Sequence, residues 1–258
     1  MLVDSHCHLD RLDLTKYQDK LDLALQFAQQ QGVEYFLCVG IDLVNFQNIL
    51  EIAERYENVG VTLGLHPTEL VSQEPTVAQL LELAENPRVL GIGETGLDYY
   101  RCEGDVEWQH QRFRNHIQVA KTVKKPIIVH TRQAQQDTIT ILKQESAAEI
   151  GGIMHCFTET WEMAEQALAL GFYISFSGII TFQNAKDLQE VVKKVPLEQM
   201  LIETDSPYLA PVPYRGKSNE PAYVRYVAQC IADLKNLDVQ TVAKYTTENF
   251  YRLFKLPQ

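Results

Sequence analysis

Imidazoles and carboxylates close a series of short apolar runs along this 258-residue chain. The runs are Met-Leu-Val-Asp-Ser-His6-Cys7-His8, Val-Leu-Gly-Ile-Gly-Glu94, Pro-Ile-Ile-Val-His130, Gly-Ile-Met-His155 and Met-Leu-Ile-Glu203-Thr-Asp205. Each run suits a buried parallel strand. A buried polar group without a partner costs roughly 1–3 kcal/mol, so these ends need one another or a shared cation. His6 and His8, two residues apart, project to one side of a strand and Cys7 to the other. That spacing suits two imidazoles on one cation and, taken alone, equally suits a hydrogen-bonded pair. Glu94 has two oxygens and can bridge two cations, which an imidazole cannot. His130 and His155 end consecutive runs, and Asp205 follows Glu203 on the same face. Cys7 and Cys156 fall on the opposite face and read as small buried residues.

Four imidazoles with Glu94 and Asp205 are enough for two adjacent divalent cations. Nitrogen and oxygen donors without thiolate suit zinc, manganese, cobalt or magnesium alike. Such a pair lowers the pKa of a shared water and stabilises charge on a phosphoryl or acyl oxygen, which is the chemistry of a hydrolase. Asp205 is the natural residue to orient that water and take its proton. Glu203 is a further catalytic candidate, or a carboxylate that orients a histidine.

Positioning these residues requires a scaffold of strands. The strand candidates are Met1–Ser5, Tyr35–Val39, Val59–Leu65, Val89–Gly93, Pro126–Val129, Gly152–Met154, Phe172–Phe176 and Met200–Ile202. Helical spacing fills the gaps. Leu21, Ala24, Leu25 and Ala28 lie at i, i+3, i+4 and i+7, with Gly32 as the stop. Leu43–Tyr56, Thr76–Glu85, Asp105–Lys121, Gln135–Gln144, Trp161–Leu170 and Ala185–Lys194 read similarly, and Ala222–Lys235 and Val239–Phe254 close the chain. Repeated strand–helix alternation predicts an α/β fold, a (β/α)8 TIM-type barrel, with a doubly wound sheet as the alternative. Polar residues at the carboxyl ends of several different strands favour the barrel, because an open sheet gathers its site at one switch point. No linker divides the chain, so residues 1–258 are expected to form one domain.

The 45% apolar content suits a globular core, and no apolar run reaches the ~20 residues of a membrane span. No secretory signal is read at the amino terminus. The five cysteines are odd in number and widely spaced, which fits a reducing cytoplasm. A net charge of −11 argues against a broad basic nucleic-acid surface. Bound divalent cations would still supply local positive charge.

Asp4-Ser-His-Cys-His-Leu-Asp10, Leu63-Gly-Leu-His-Pro67, Gly93-Glu-Thr-Gly-Leu-Asp-Tyr-Tyr100, Pro126-Ile-Ile-Val-His-Thr-Arg132, His155-Cys-Phe157 and Glu203-Thr-Asp-Ser-Pro-Tyr-Leu209 together resemble the TatD family of metal-dependent deoxyribonucleases, as does the Pro-rich segment Ala210–Pro221. The resemblance spans essentially the whole chain, in order. It implies an amidohydrolase-type barrel in which His6, His8 and Asp205 hold one metal, His130 and His155 the other, and Glu94 bridges. It further implies cleavage of DNA ends or short single strands. Aminoacyl-tRNA, or a small cyclic amide or phosphoester, is the alternative substrate for the same activated water. His66 is expected at the rim, either beside a ligand or on a phosphate. Arg132 is placed for a bidentate phosphate contact or a salt bridge to a site carboxylate. Arg215 and Lys217, in the loop after the last strand, are candidate phosphate contacts or solvated residues. Tyr99 and Tyr100 suit base stacking or packing, and His110 and His116 receive no role.

Overall fold

In the computed structural model, which describes residues 1–102 and 104–257, the strands run in chain order around one parallel sheet. They are β1 (Leu2–Cys7), β2 (Val33–Cys38), β3 (Val59–Leu63), β4 (Val89–Asp98), β5 (Ile127–Arg132), β6 (Gly152–Met154), β7 (Phe172–Phe176) and β8 (Met200–Ile202). The helices between and after them are α1 (Leu21–Gln30), α2 (Phe46–Arg55), α3 (Val77–Ala84), α4 (Glu107–Val123), α5 (Gln135–Gln144), α6 (Trp161–Ala169), α7 (Lys186–Lys194), α8 (Val224–Lys235) and α9 (Val239–Phe254). The chain is a single-domain (β/α)8 barrel. Asp205 N–H donates to the His6 carbonyl at 2.9 Å and His8 N–H to the Ser206 carbonyl at 2.8 Å, closing β8 onto β1. Asp4 reinforces this seam, accepting from Thr204 N–H at 2.9 Å and from its hydroxyl at 2.6 Å. No described helix is long and apolar enough to cross a membrane.

The core has two layers. Val3, Leu37, Ile128, Ile153 and Leu201 fill the barrel interior and meet Phe250 and Phe254 of α9. Their strand neighbours, including Val33, Val61, Ile127, Val129, Met154 and Ile174, pack outward against the helices. Strand alternation then turns His130 and His155 inward, because Ile128 and Ile153 two residues earlier already face the interior. Elsewhere alternation needs help. A register shift between Asp4 and Cys7 reverses the parity of β1, sending Cys7 to the outer layer. A second shift, between Ile92 and Thr95, brackets Glu94 on β4.

Three strands run further than their apolar residues suggest. β1, β4 and β5 extend to Cys7, Asp98 and Arg132, beyond the expected ends at Ser5, Gly93 and Val129. Polar side chains that satisfy one another inside a barrel mouth need not leave the ladder. Close strand approach at this point depends on Gly96, whose φ is +139° and whose added Cβ would sit 2.0 Å from the His130 carbonyl oxygen. Conversely α2 starts at Phe46 instead of Leu43, since the Asp42 carboxylate accepts from Asn45 N–H at 2.7 Å and holds that stretch as a turn.

α4 does more than cover β4. Arg112 is 2% exposed, and its guanidinium donates to the carbonyls of His66 at 2.7 Å and Glu69 at 2.8 Å while pairing with Glu74. One turn on, His116 donates through Nδ1 to the Arg112 carbonyl at 2.8 Å and accepts Leu65 N–H on Nε2 at 3.2 Å. The loop after β3, which carries His66, is thereby held by a neutral imidazole. Burial pushes the His116 pKa down from 6.5 to about 4. A depressed histidine supports folding above its unfolded pKa, and that support is lost as pH falls from about 6.5 to about 4. Urea titrations between pH 7 and pH 4.5 should therefore show His116→Gln less acid-sensitive than the parent, by up to about 3 kcal/mol over that window. Parallel pH slopes for the two proteins would refute this role.

Candidate metal centre

At the carboxyl ends of the strands lies a pocket of about 600 Å³ whose lining includes His8, His66, Glu94, His130, His155 and Asp205. Glu94 is 3% exposed and meets a different partner with each oxygen. Its Oε2 faces His6 Nε2 at 3.3 Å. Its Oε1 faces His155 Nε2 at 2.8 Å, His130 Nδ1 at 3.1 Å and His66 Nε2 at 3.3 Å. Asp205 Oδ1 sits 3.6 Å from His6 Nε2 and 3.5 Å from His8 Nε2. Asp205 has a left-handed backbone, φ 55°, which turns it away from the line of β8 and into the pocket.

Second partners decide which nitrogen each histidine offers. The Val39 carbonyl can only accept, so His8 donates from Nδ1 at 3.1 Å and presents Nε2 to Asp205. His155 turns Nδ1 towards Glu203 at 3.3 Å, leaving Nε2 towards Glu94. His130 is reversed: Nε2 meets Asp98 at 3.1 Å and Nδ1 faces Glu94. His6 is fully buried, stacks on His155 at 3.9 Å, and makes no hydrogen bond through either ring nitrogen. A buried imidazole with unused nitrogens beside two carboxylates is what a bound cation would complete.

Donor atoms gather in three sets, each within 4.8 Å: His6, His8 and Asp205; His66, Glu94 and His130; His6, His155 and Glu203. Burial raises the Glu94 carboxyl, but His155, His66 and His130 outweigh it and hold it well below the usual range. Burial lowers His155, and Glu94 with Glu203 carry it well above its ordinary value. Cys156 also lines the pocket. Burial, then Asp205 and Glu203, push its thiol well up, and its Sγ lies 3.3 Å from the Ser177 hydroxyl.

The TatD related DNase family matches residues 3–255. The chain belongs to the TatD family. It is 46% identical over 256 residues to the uncharacterized metal-dependent hydrolase YcfH of Escherichia coli K12, covering 99% of this chain and 96% of that protein. It is 43% identical over 257 residues to the uncharacterized metal-dependent hydrolase YabD of Bacillus subtilis 168, covering 99% and 100%. The crystal structure of YjjV, a TatD homologue from Escherichia coli, superposes with a TM-score of 0.90 at 29% identity, covering 99% and 98% of the two chains. This TatD chain is thus a metal-dependent hydrolase with candidate metal-binding residues.

Not every residue singled out by sequence reaches the pocket. Arg132 does, with its guanidinium 3.8 Å from the Tyr100 ring. Arg215 and Lys217 do not. Both are exposed, Arg215 lies 4.3 Å from the Phe182 ring and Lys217 6.0 Å from that of Tyr214. Glu203 is fully buried outside the pocket lining, accepting from Cys156 N–H at 2.6 Å and the Ser175 hydroxyl at 2.5 Å. That position favours orienting His155 over touching substrate. Asp98 was missed, although it stands four residues beyond Glu94 on the same strand and so on the same face. Arg11 and Arg101 also line the pocket, and no spacing rule marked them.

Glu203 Oε1 lies 3.3 Å from His155 Nδ1, so Glu203→Gln should fold normally while manganese affinity, read by calorimetry, falls roughly 10–100-fold. A change under about two-fold would show that His155 needs no such partner.

Proposed function

We propose that this TatD chain hydrolyses phosphodiester bonds at the ends of single-stranded DNA, using two divalent cations and Asp205 as proton acceptor. The observation that carries the reading is the division of Glu94 between two donor groups, with Oε2 towards His6 and Oε1 towards His130, His155 and His66. His6, His8 and Asp205 would hold one cation, His130 and His155 the other, and Glu94 both. Bound there, the cations supply an acidified water and neutralise charge building on the phosphoryl oxygens.

The chain's own groups do the rest. Two carboxylates, Glu94 and Asp205, both belong to a donor set and face the pocket. Glu94 is already shared among four imidazoles, so Asp205 takes the water's proton, on the oxygen not turned to His6 and His8. Water oxygen bonds to phosphorus, the bond from phosphorus to the neighbouring sugar oxygen breaks, and that oxygen receives the proton. His66, on the pocket wall, meets a non-bridging oxygen of that phosphate, and Arg132 meets a phosphate of the same strand. Asp98 and Glu203 hold His130 and His155 in the tautomers that point towards Glu94. DNA as substrate is supported by the family, TatD related DNase. The net charge of −11 favours short strands and ends, since distant phosphates of a long duplex are repelled. All five cysteines are unpaired, as a reducing cytoplasm leaves them.

Chelation and dialysis should abolish turnover, and magnesium, manganese or zinc should restore it on a panel of end-labelled DNA, D-aminoacyl-tRNA and small phosphodiesters. Restored cleavage of aminoacyl esters but not of DNA would replace the nuclease reading with the acyl one. Asp205→Asn should keep the fold and lower kcat by ~10²–10⁴. Near-parental rates in folded protein would remove Asp205 from the chemistry.

A further inference from the structure

The pocket has two electrically different sides. Asp98 and Arg132 are register partners at the ends of β4 and β5, so Tyr99, Tyr100 and Arg101 follow directly at the mouth. Tyr99 is used internally, its hydroxyl meeting His110 Nε2 at 2.6 Å and Asp137 at 2.7 Å. Tyr100 is 58% exposed and carries the Arg132 guanidinium on its ring at 3.8 Å. Arg101 is fixed through its backbone, which donates to Asp98 Oδ1 at 2.9 Å, and its side chain lines the pocket. Among the described residues, neither Arg101 nor Arg132 forms an ion pair. The third pocket arginine differs. Arg11 pairs with Asp42 at 3.0 Å and Asp10 at 3.5 Å, and Glu69 lines the pocket as well.

We propose that Tyr100, Arg101 and Arg132 form a subsite for the nucleotide next to the one being cleaved: its base stacks on Tyr100 and its phosphate lies between the two guanidiniums. This deepens, and rests on, the nuclease reading. Unpaired arginines are the groups with charge to spare for a phosphate, since Arg11 is already neutralised. An arginine held on an aromatic face keeps its N–H edge free, and an exposed aromatic ring accepts any base. Stacking requires an unpaired base, so the subsite selects single strands. The strand leaves the pocket over β4 and β5, because Asp10, Asp42 and Glu69 repel phosphate on the other side.

The test is fluorescence anisotropy of a labelled phosphorothioate hexathymidylate, whose sulfur slows cleavage, against a labelled dithymidylate, with metal-loaded protein. Arg101→Gln and Tyr100→Ala, both at exposed positions, should each weaken hexamer binding by roughly ten-fold more than dimer binding. Arg101→Gln should lower the hexamer's salt slope by about one, and Tyr100→Phe should bind as the parent does. Parental hexamer affinity in Arg101→Gln and Tyr100→Ala, equal losses on dimer and hexamer, or no hexamer binding by the parent would each overturn the subsite. Parallel turnover assays separate the two readings. Binding with the expected dependence but without DNA cleavage sinks the nuclease reading alone, and cleavage by the parent with indifferent variants sinks the subsite alone.

Discussion

Glu94 is 3% exposed, and a carboxylate taken that far from water stays ionised only if both oxygens are compensated. Here compensation comes from four imidazoles, one on Oε2 and three on Oε1. Those imidazoles are buried or half-buried and need partners of their own, which Thr68 supplies to His66, Asp98 to His130 and Glu203 to His155. The demand for compensation thus spreads outward until backbone groups and hydroxyls of the barrel satisfy it. His6 stands apart: its Nε2 faces Glu94 Oε2 at 3.3 Å, yet neither ring nitrogen makes a hydrogen bond, which suits a metal ligand.

Chain closure and site assembly are one event in this fold. The two backbone bonds that join β8 to β1 run between the residues bearing His6, His8 and Asp205. Asp4, in the same strand, grips Thr204, whose neighbours are Glu203 and Asp205. Moving the seam by one residue would separate the imidazoles from their carboxylate. α4 plays a comparable part across the barrel, where Arg112 and His116 fasten the loop of His66 through its backbone and leave the imidazole free to face Glu94.

Around this fixed centre the groups at the rim differ in charge from side to side. The side after β1, β2 and β3 presents Asp10, Asp42 and Glu69 with a neutralised Arg11. The side after β4 and β5 presents Arg101 and Arg132 beside an exposed tyrosine. Screening confines each charge to about 8 Å at physiological ionic strength, so the net charge of −11 does not fix the local potential on each side of the pocket.

Local pattern by itself determined the barrel and its strands, and it marked His8, His66, Glu94, His130, His155 and Asp205 of the pocket lining but not Asp98, Arg11 or Arg101. Apolar runs ending in His130, His155 and Glu203 follow regular alternation, so the face of each side chain is set by its neighbours two residues away. Tertiary structure decided the rest, for reasons no spacing rule contains. The register shifts in β1 and β4 that flank His6 and Glu94 depend on pairing with adjacent strands. Glu203 and Asp205 look equivalent in sequence, yet the left-handed turn at Asp205 puts one in the pocket and the other behind His155. Asp98 was legible as a same-face neighbour of Glu94, but its partner on β5 was not. The arginines show the limit most plainly. Arg215, Lys217, Arg11 and Arg101 are all loop cations in the sequence, and only the folded loops and their carboxylates decide which of them reach the pocket and which keep their charge.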